Sequence, residues 1–408
     1  MAKLFFYLLL FTSFLAAQSV VKTGIEVLRD SSFGILSGKR VGLITNPTGV
    51  DSKLKATIDI LYGQPQFRLA ALYGPEHGVR GDYSAGDLVS TYTDSSTGLT
   101  VFSLYGKTRK PTPEMLESID VLVFDIQDIG SRSYTYISTL GLAMEAAAEK
   151  GIEFVVLDRP NPLTGLKIEG NIAEDGYHSF VSQFKIPYVH GLTVGELAIL
   201  LNETGMLKDG VKCKLTVVPM SGWKREMTFR DTGLPWVMTS PHIPYLETPF
   251  FYVATGILGE LGYISEGVGY TIPFQALAAE WINQDSLANA MNALNLPAII
   301  FRPIIYKPYY GKNAGKNLKG VQLHFTDPLK CELMKIQFHF LEVHNRLYPE
   351  RNPFIHADSS RFSMFDKVTG TSNIREIFSK EMTVKSIESY LDKDVEAFRK
   401  ISSAFYLY

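Results

Sequence analysis

The sequence predicts an α/β protein in which a doubly wound parallel sheet is followed by a smaller α+β domain. Two observations carry this. Over the first half of the chain, short continuous apolar runs rich in β-branched residues alternate with stretches of helical composition. Strands of that kind are buried on both faces, which requires a parallel sheet covered by helices on each side. After about residue 280 the alternation gives way to two strand patterns and then helical ones. The 408 residues are 46% apolar and 20% charged, which is ordinary globular composition and enough chain for more than one core. A net charge of −2 argues against nucleic acid as the main partner, because binding phosphates requires a basic face.

Lys3 and the apolar run 4–17 open the chain. The run is too short to span a bilayer, which takes about 20 residues. Residues 1–18 read as a secretory signal peptide, so the mature protein is expected to be exported, periplasmic or secreted, with no stable membrane insertion. No Cys lies near the expected cleavage region. Cys213 and Cys331 are too few for a disulfide scaffold or a zinc site, and spacing does not place them together.

Residues 41–45 form the first expected strand, followed by a helical stretch around 54–61. Residues 69–73 are the second strand. Residues 121–126 (VLVFDI) are the clearest, and 133–150 follow with strong helix formers at their end. Residues 152–157 complete the series. The larger domain is expected over 19–281. Strand patterns at 298–306 and 321–325, with helical ones at 329–346 and 384–402, make the smaller domain, 282–408, which is expected to contribute to the cleft.

In doubly wound sheets ligands bind beyond the carboxyl ends of the strands. Four such ends carry polar, Gly/Pro-punctuated turns: 46–49 (NPTG), 74–78 (GPEHG), 127–132 (QDIGSR) and 158–162 (DRPNP). Loops and helix caps need such residues. That need does not explain why Glu, His, Asp and Arg gather on one edge.

Glu76 and His77 sit in the sharpest of these turns, where a shielded carboxyl can act as a general acid or base, or simply cap a helix. Asp125 and Asp128 form a second pair, with capping and backbone satisfaction as their plainer roles. Arg132, at an expected helix start, suits a carboxylate ligand or an ion pair with Asp128. Arg159 can equally lock its own loop. Thr193 and Glu196 have the spacing of a capping box, and His190 just before them is a candidate ligand contact. The segment 265–269 (SEGVG) is Gly-rich but lacks dinucleotide-binding spacing. HExxH, P-loop and GxSxG motifs are absent. What remains is carboxylate chemistry with Arg, His and aromatic support, the usual apparatus of glycoside hydrolysis. Tyr83, Tyr134, Tyr136, Tyr263 and Tyr270, near the motif loops, can stack on sugar faces.

Taken together, LITNPTGV (43–50), GPEHGVRGDYSAG (74–86), VFDIQDIGSRSYTY (123–136), DRPNPLTG (158–165), EGN (169–171), HGLTVGELA (190–198), SEGVG (265–269), GVQLHFTD (320–327) and the closing FYLY resemble the exo-β-N-acetylmuramidases of peptidoglycan turnover, the NamZ type. The resemblance spans nearly the whole mature chain. It implies a Rossmann-like catalytic domain, a smaller C-terminal domain and a site in the cleft between them, with no metal, nucleotide or other cofactor. It implies release of N-acetylmuramic acid from the non-reducing end of peptidoglycan fragments. Glu76 is then the expected acid, with His77 beside it. Asp125, Asp128, Glu169 and Glu266 compete for the second carboxylate role. Arg80 and Arg132 would grip the lactyl carboxylate, and Asn46, Tyr134, Asn161 and His190 would complete the substrate site. The chain departs from the family at Tyr188 and Val268, where Arg is usual, and at His242, where Asn is usual. Fewer cations leave open an altered specificity, or a non-catalytic binder of wall amino-sugar fragments.

Overall fold

The computed structural model describes residues 21–81, 90–106 and 108–408. The expected signal peptide and Tyr83 lie outside the described residues. The strands are β1 (Arg40–Thr45), β2 (Arg68–Gly74), β3 (Tyr92–Thr93), β4 (Thr100–Ser103), β5 (Val121–Asp125), β6 (Glu153–Leu157), β7 (Lys214–Val218), β8 (Ala276–Ala279), β9 (Ile299–Tyr306) and β10 (Leu318–Phe325). The helices are α1 (Gly24–Asp30), α2 (Thr57–Leu61), α3 (Tyr136–Lys150), α4 (Val194–Glu203), α5 (Thr248–Leu261), α6 (Gln284–Asn292), α7 (Leu333–Leu347), α8 (Pro353–His356), α9 (Phe362–Thr369), α10 (Asn373–Glu381), α11 (Lys385–Asp392) and α12 (Val395–Ser402).

The first seven strands form one sheet in the order β3-β4-β2-β1-β5-β6-β7, parallel except for the short edge strand β3. Without β3 this is the doubly wound Rossmann order, which reverses between β1 and β5. Both faces are apolar. Val41, Leu43, Leu72 and Val123 pack on one side, and Ile44, Tyr73, Phe124 and Phe154 on the other, against α3 and α4. Register places Thr45 opposite Asp125, so the polar loops after β1 and β5 leave the sheet side by side.

The second unit is built on the antiparallel sheet β8-β10-β9, covered by α5, α6, α7 and α9. Its core starts earlier in the chain than residue 282, because the apolar helix α5 packs against α7 and α9 and β8 pairs with β10. The chain then returns. Phe398 of α12 is buried in the first unit's core, with Tyr406 beside it. The single helical pattern expected over 384–402 is two helices, interrupted at Lys393 and Asp394. Cys213 and Cys331 are both buried free thiols, and Cys331 donates to the Pro297 carbonyl at 3.0 Å. Among the described residues no helix is long and apolar enough to cross a membrane.

Candidate functional site

The switch point between β1 and β5 is where two neighbouring chains diverge and leave a crevice. Asn46 follows β1, and its Oδ1 accepts from the Thr48 amide at 2.9 Å. The Thr48 hydroxyl accepts from the Gln127 amide at 2.9 Å, tying the β1 loop to the β5 loop. Only glycine fits at position 49, where a Cβ would lie 2.0 Å from the Thr45 hydroxyl. Next door, β2 ends in the Gly74–Gly78 turn, closed by the Gly78 amide on the Pro75 carbonyl at 3.1 Å. His77 adopts a φ of 74°, in the left-handed region that is costly for a residue with a Cβ and is concentrated at functional sites. Glu76 is half-buried beside it and hydrogen-bonds Tyr105. Burial and that contact push the Tyr105 phenol up to about 12.

Glu76 and His77 line a cavity of about 330 Å³ with Tyr134, Tyr136, His242 and Glu260. Residues of both units contribute, since Tyr252 and Glu260 lie on α5. The tyrosines are arranged edge to face: ring centroids of Tyr134 and Tyr136 are 5.1 Å apart, and those of Tyr134 and Tyr252 5.9 Å. Tyr134 donates to the Thr239 hydroxyl at 2.7 Å and Tyr136 to the Thr239 carbonyl at 2.6 Å. Burial holds all three phenols well above their usual range, so they stay neutral donors. His242 stacks on Tyr310, 3.0 Å from its hydroxyl. Burial and the neighbouring His77 lower its basicity.

Asp128 and His190 form a buried pair at the end of β5. Asp128 Oδ2 accepts from the Gly130 amide at 2.7 Å, while Oδ1 has no hydrogen-bond partner in the protein. The Leu192 amide donates to His190 Nδ1 at 3.2 Å, which fixes the tautomer with the proton on Nε2. That nitrogen is 3.9 Å from Asp128 and is likewise unpartnered. Asp128 lies within electrostatic reach of Tyr134 and Tyr136.

The structure draws the other expected residues away from the cavity. Asp125 is fully buried, with Arg159 donating from Nε at 2.5 Å and Nη2 at 3.0 Å and Thr57 at 2.5 Å, so both oxygens are occupied. Arg132 is also fully buried. It donates to the carbonyls of Asn171 and Ile186 at 2.7 Å and of Val368 at 3.1 Å, and desolvation lowers its pKa to about 10. Fully buried and absent from the cavity wall, it offers that cavity no cation. Arg80 makes a two-pronged pair with Asp94, at 2.8 and 3.1 Å, and also reaches Asp59. Asn161 braces its loop between the Leu192 carbonyl and the Leu163 amide. Glu169 accepts the first amides of α7, Leu333 at 3.2 Å and Met334 at 2.9 Å, and so caps that helix. The Thr193–Glu196 capping box is present, with Glu196 also bound to Arg225 at 2.6 Å. Of the departures, Tyr188 is a fully buried ring against Arg132 and Val268 is half-buried.

Glu266 lies just behind the cavity. Gly259 lets it approach α5, since a Cβ there would sit 3.1 Å from the Glu266 carboxyl carbon. Desolvation and the nearby Glu260 push it up to about 7. Glu260 itself lines the cavity, and burial raises it too. Sequence reasoning passed over Glu260 because it ends an apolar helix that reads as core. The one signal was a carboxylate in the last turn of a helix, where the helix dipole disfavours it.

A larger cavity, about 660 Å³, lies elsewhere, lined by Lys167, Glu169, Cys331, Lys335 and Arg399. Its charges are paired among themselves: Lys167 with Glu169 at 2.9 Å, and Lys335 with Glu332 at 2.7 Å and Asp392 at 2.9 Å. It therefore offers no converging free groups. Among the described residues no cluster of three or more His, Cys, Asp or Glu side chains could hold a metal.

Comparison with known proteins shows the family to which the chain belongs. The family model described as exo-β-N-acetylmuramidase NamZ, N-terminal, matches residues 41–247, and the corresponding C-terminal model matches 250–408. The peptidoglycan β-N-acetylmuramidase NamZ of Bacillus subtilis (strain 168) is 46% identical over 393 residues, covering 96% of this chain and 92% of that protein. Two crystal structures of DUF1343 family proteins from Bacteroides fragilis NCTC 9343 share the fold. One is 59% identical with a TM-score of 0.92, covering 95% of this chain and 99% of its own. The other is 26% identical with a TM-score of 0.76, covering 96% and 99%. By both family models and by an identity that runs almost end to end, the chain belongs to the exo-β-N-acetylmuramidase NamZ family.

Proposed function

We propose that the protein is an exported exo-acting glycoside hydrolase that releases N-acetylmuramic acid from the non-reducing end of peptidoglycan fragments by carboxylate acid/base chemistry. The observation that carries this reading is Glu76, held at the end of β2 on the wall of a small cavity, in a chain 46% identical to a peptidoglycan β-N-acetylmuramidase. A volume of about 330 Å³ is at the low end for ligand sites, roughly 300–1,000 Å³, and suits one sugar ring rather than a length of glycan. That size supports action at a chain end. The neutral phenols of Tyr134, Tyr136 and Tyr252 supply apolar faces and hydrogen-bond donors together, as an acetamido sugar requires. His242 provides a further polar contact on the cavity wall.

The test is incubation of the mature protein with a chromogenic β-N-acetylmuraminide and the matching β-N-acetylglucosaminide. Release from the muraminide alone is expected. Folded protein that cleaves neither would sink the hydrolase reading, and tight binding of a muramyl disaccharide without cleavage would favour a binder instead. Fractionation of a producing cell checks export: the protein should be outside the cytoplasm and begin near residue 19.

A further inference from the structure

We propose that Glu260 is the second catalytic carboxylate, sharing one cavity with Glu76 and giving its proton to the departing sugar oxygen. The assignment rests on the hydrolase reading above and names the acid within it. It gives the acid role to Glu260 rather than to Glu76.

Three observations converge. Glu260 and Glu76 line one cavity, whereas Glu266, Asp125 and Glu169 do not. The two come from different units, Glu76 from the turn after a sheet strand and Glu260 from α5 of the second unit, so a sugar lodged in the cavity meets both carboxyls. The surroundings of Glu260 also disfavour its charge. It occupies the last turn of α5, at the negative end of the helix dipole. Arg361, the nearest cation, donates to the Glu260 carbonyl at 2.7 Å and the Gly259 carbonyl at 3.3 Å. It comes only within 4.0 Å of the carboxylate. Near the carboxyl stand Glu266, Tyr252 and Tyr188, with Glu76, His77 and His242 on the same cavity, while Lys312 at the end of α5 is spent on the Gly262 carbonyl at 2.6 Å. Apart from Arg361 and Lys312 these are acidic groups, neutral phenols and histidines, and burial raises the Glu260 pKa. A carboxyl whose charge is disfavoured, sharing a cavity with a second carboxyl, is the arrangement by which two acids divide acid and base roles.

The step balances as a hydrolysis. The anomeric C1–O bond breaks and its electron pair passes to the oxygen, which takes the Glu260 proton. A water oxygen bonds to C1, and its proton is taken by Glu76. The pair again holds one proton, which solvent returns to Glu260.

Leaving-group dependence tests the assignment. A nitrophenolate departs without protonation, whereas a sugar oxygen needs it. E260Q should lose at least about a hundredfold in kcat/KM on the muramyl disaccharide, the scale of lost acid catalysis. On a nitrophenyl β-N-acetylmuraminide it should stay within about tenfold of wild type, and the alkaline limb of its pH profile should disappear. Equal losses on the two substrates, or an unchanged rate on the disaccharide, overturn the acid role while leaving the hydrolase reading intact. A wild-type protein inactive on both substrates overturns that reading and this assignment together. Circular dichroism confirms the fold of E260Q. If E260Q does not fold, E260D is the second variant and should show the same substrate-selective loss, smaller in size.

Discussion

Arg132, in the loop after β5, donates a 3.1 Å hydrogen bond to the carbonyl of Val368 in helix α9 of the second unit. The same guanidinium holds the Asn171 and Ile186 carbonyls, so one side chain fastens three segments at the boundary of the two units. Arg132→Met leaves those acceptors buried and unpaired. It should destabilise by about 3–5 kcal/mol, at about 1–3 kcal/mol per orphaned group, read from the denaturant midpoint. Arg132→Lys should recover only part of this, since an ammonium cannot span the same acceptors. If Arg132 instead bound the substrate carboxylate, Arg132→Lys would raise KM for a muraminide with little change in stability.

Asp125 and Arg159 are partners of a second kind, two opposite charges buried together under the crevice. Asp125→Asn strands the guanidinium. A loss of about 3–5 kcal/mol in urea unfolding is expected, as for other broken buried pairs. Residual folded protein should keep its substrate affinity, because Asp125 does not reach the cavity. A pure turnover defect at unchanged stability would place Asp125 in the chemistry instead.

Asp158 predicts a pH effect. Its carboxylate is fully buried and accepts from the Gly195 amide, the Thr193 hydroxyl and the Tyr408 phenol, each at 2.7 Å. Desolvation outweighs these donors and pushes it up to about 6, against the usual 3.8. Between pH 4 and 6 the folded chain therefore holds a proton that the unfolded chain releases. This contribution to stability is present below pH 4 and is lost as pH rises through 6, by about 3 kcal/mol. Urea midpoints of wild type and Asp158→Asn should be compared over that range. The variant should lack this slope, so the difference between the two proteins should change with pH. A constant difference would mean that Asp158 does not titrate there.

Glu76→Gln should lower turnover on disaccharide and nitrophenyl substrates alike, by about 10²–10⁴, the range for a positioned acid or base. Steady-state kinetics on protein of unchanged circular dichroism measures this. Near-wild-type rates would move the chemistry to other residues.

The parallel strands were legible because β1, β2, β5 and β6 are buried along nearly their whole length and so read as apolar runs. Strand β7 was not, because it is the sheet's edge and alternates with solvent, and β8 was not, because its alanines carry little strand signal. Turn chemistry located Glu76, His77 and Asp128 at the crevice. It could not separate them from Asp125, Arg132 or Arg80, since an acid or cation near a strand end looks the same whether it meets a ligand or a partner from a distant segment. Arg132 meets a carbonyl 236 residues away. Glu260 stayed hidden for the converse reason, as only the folded chain brings the end of α5 to the end of β2.

Residues 395–408 lie with the first unit although they follow the second. Phe398 fills its core, Arg225 sits over the Tyr406 ring at 3.3 Å, the Leu407 amide reaches Glu196 and Tyr408 reaches Asp158. A nascent chain that has passed residue 218 has every strand of the large sheet but still lacks one wall around it. Until residue 398 emerges that wall is open, a standing target for proteases and holdases. Maturation of both units is thus tied to one late event, and a hybrid that exchanges the second unit at its sequence boundary alone would strip the first of its clasp.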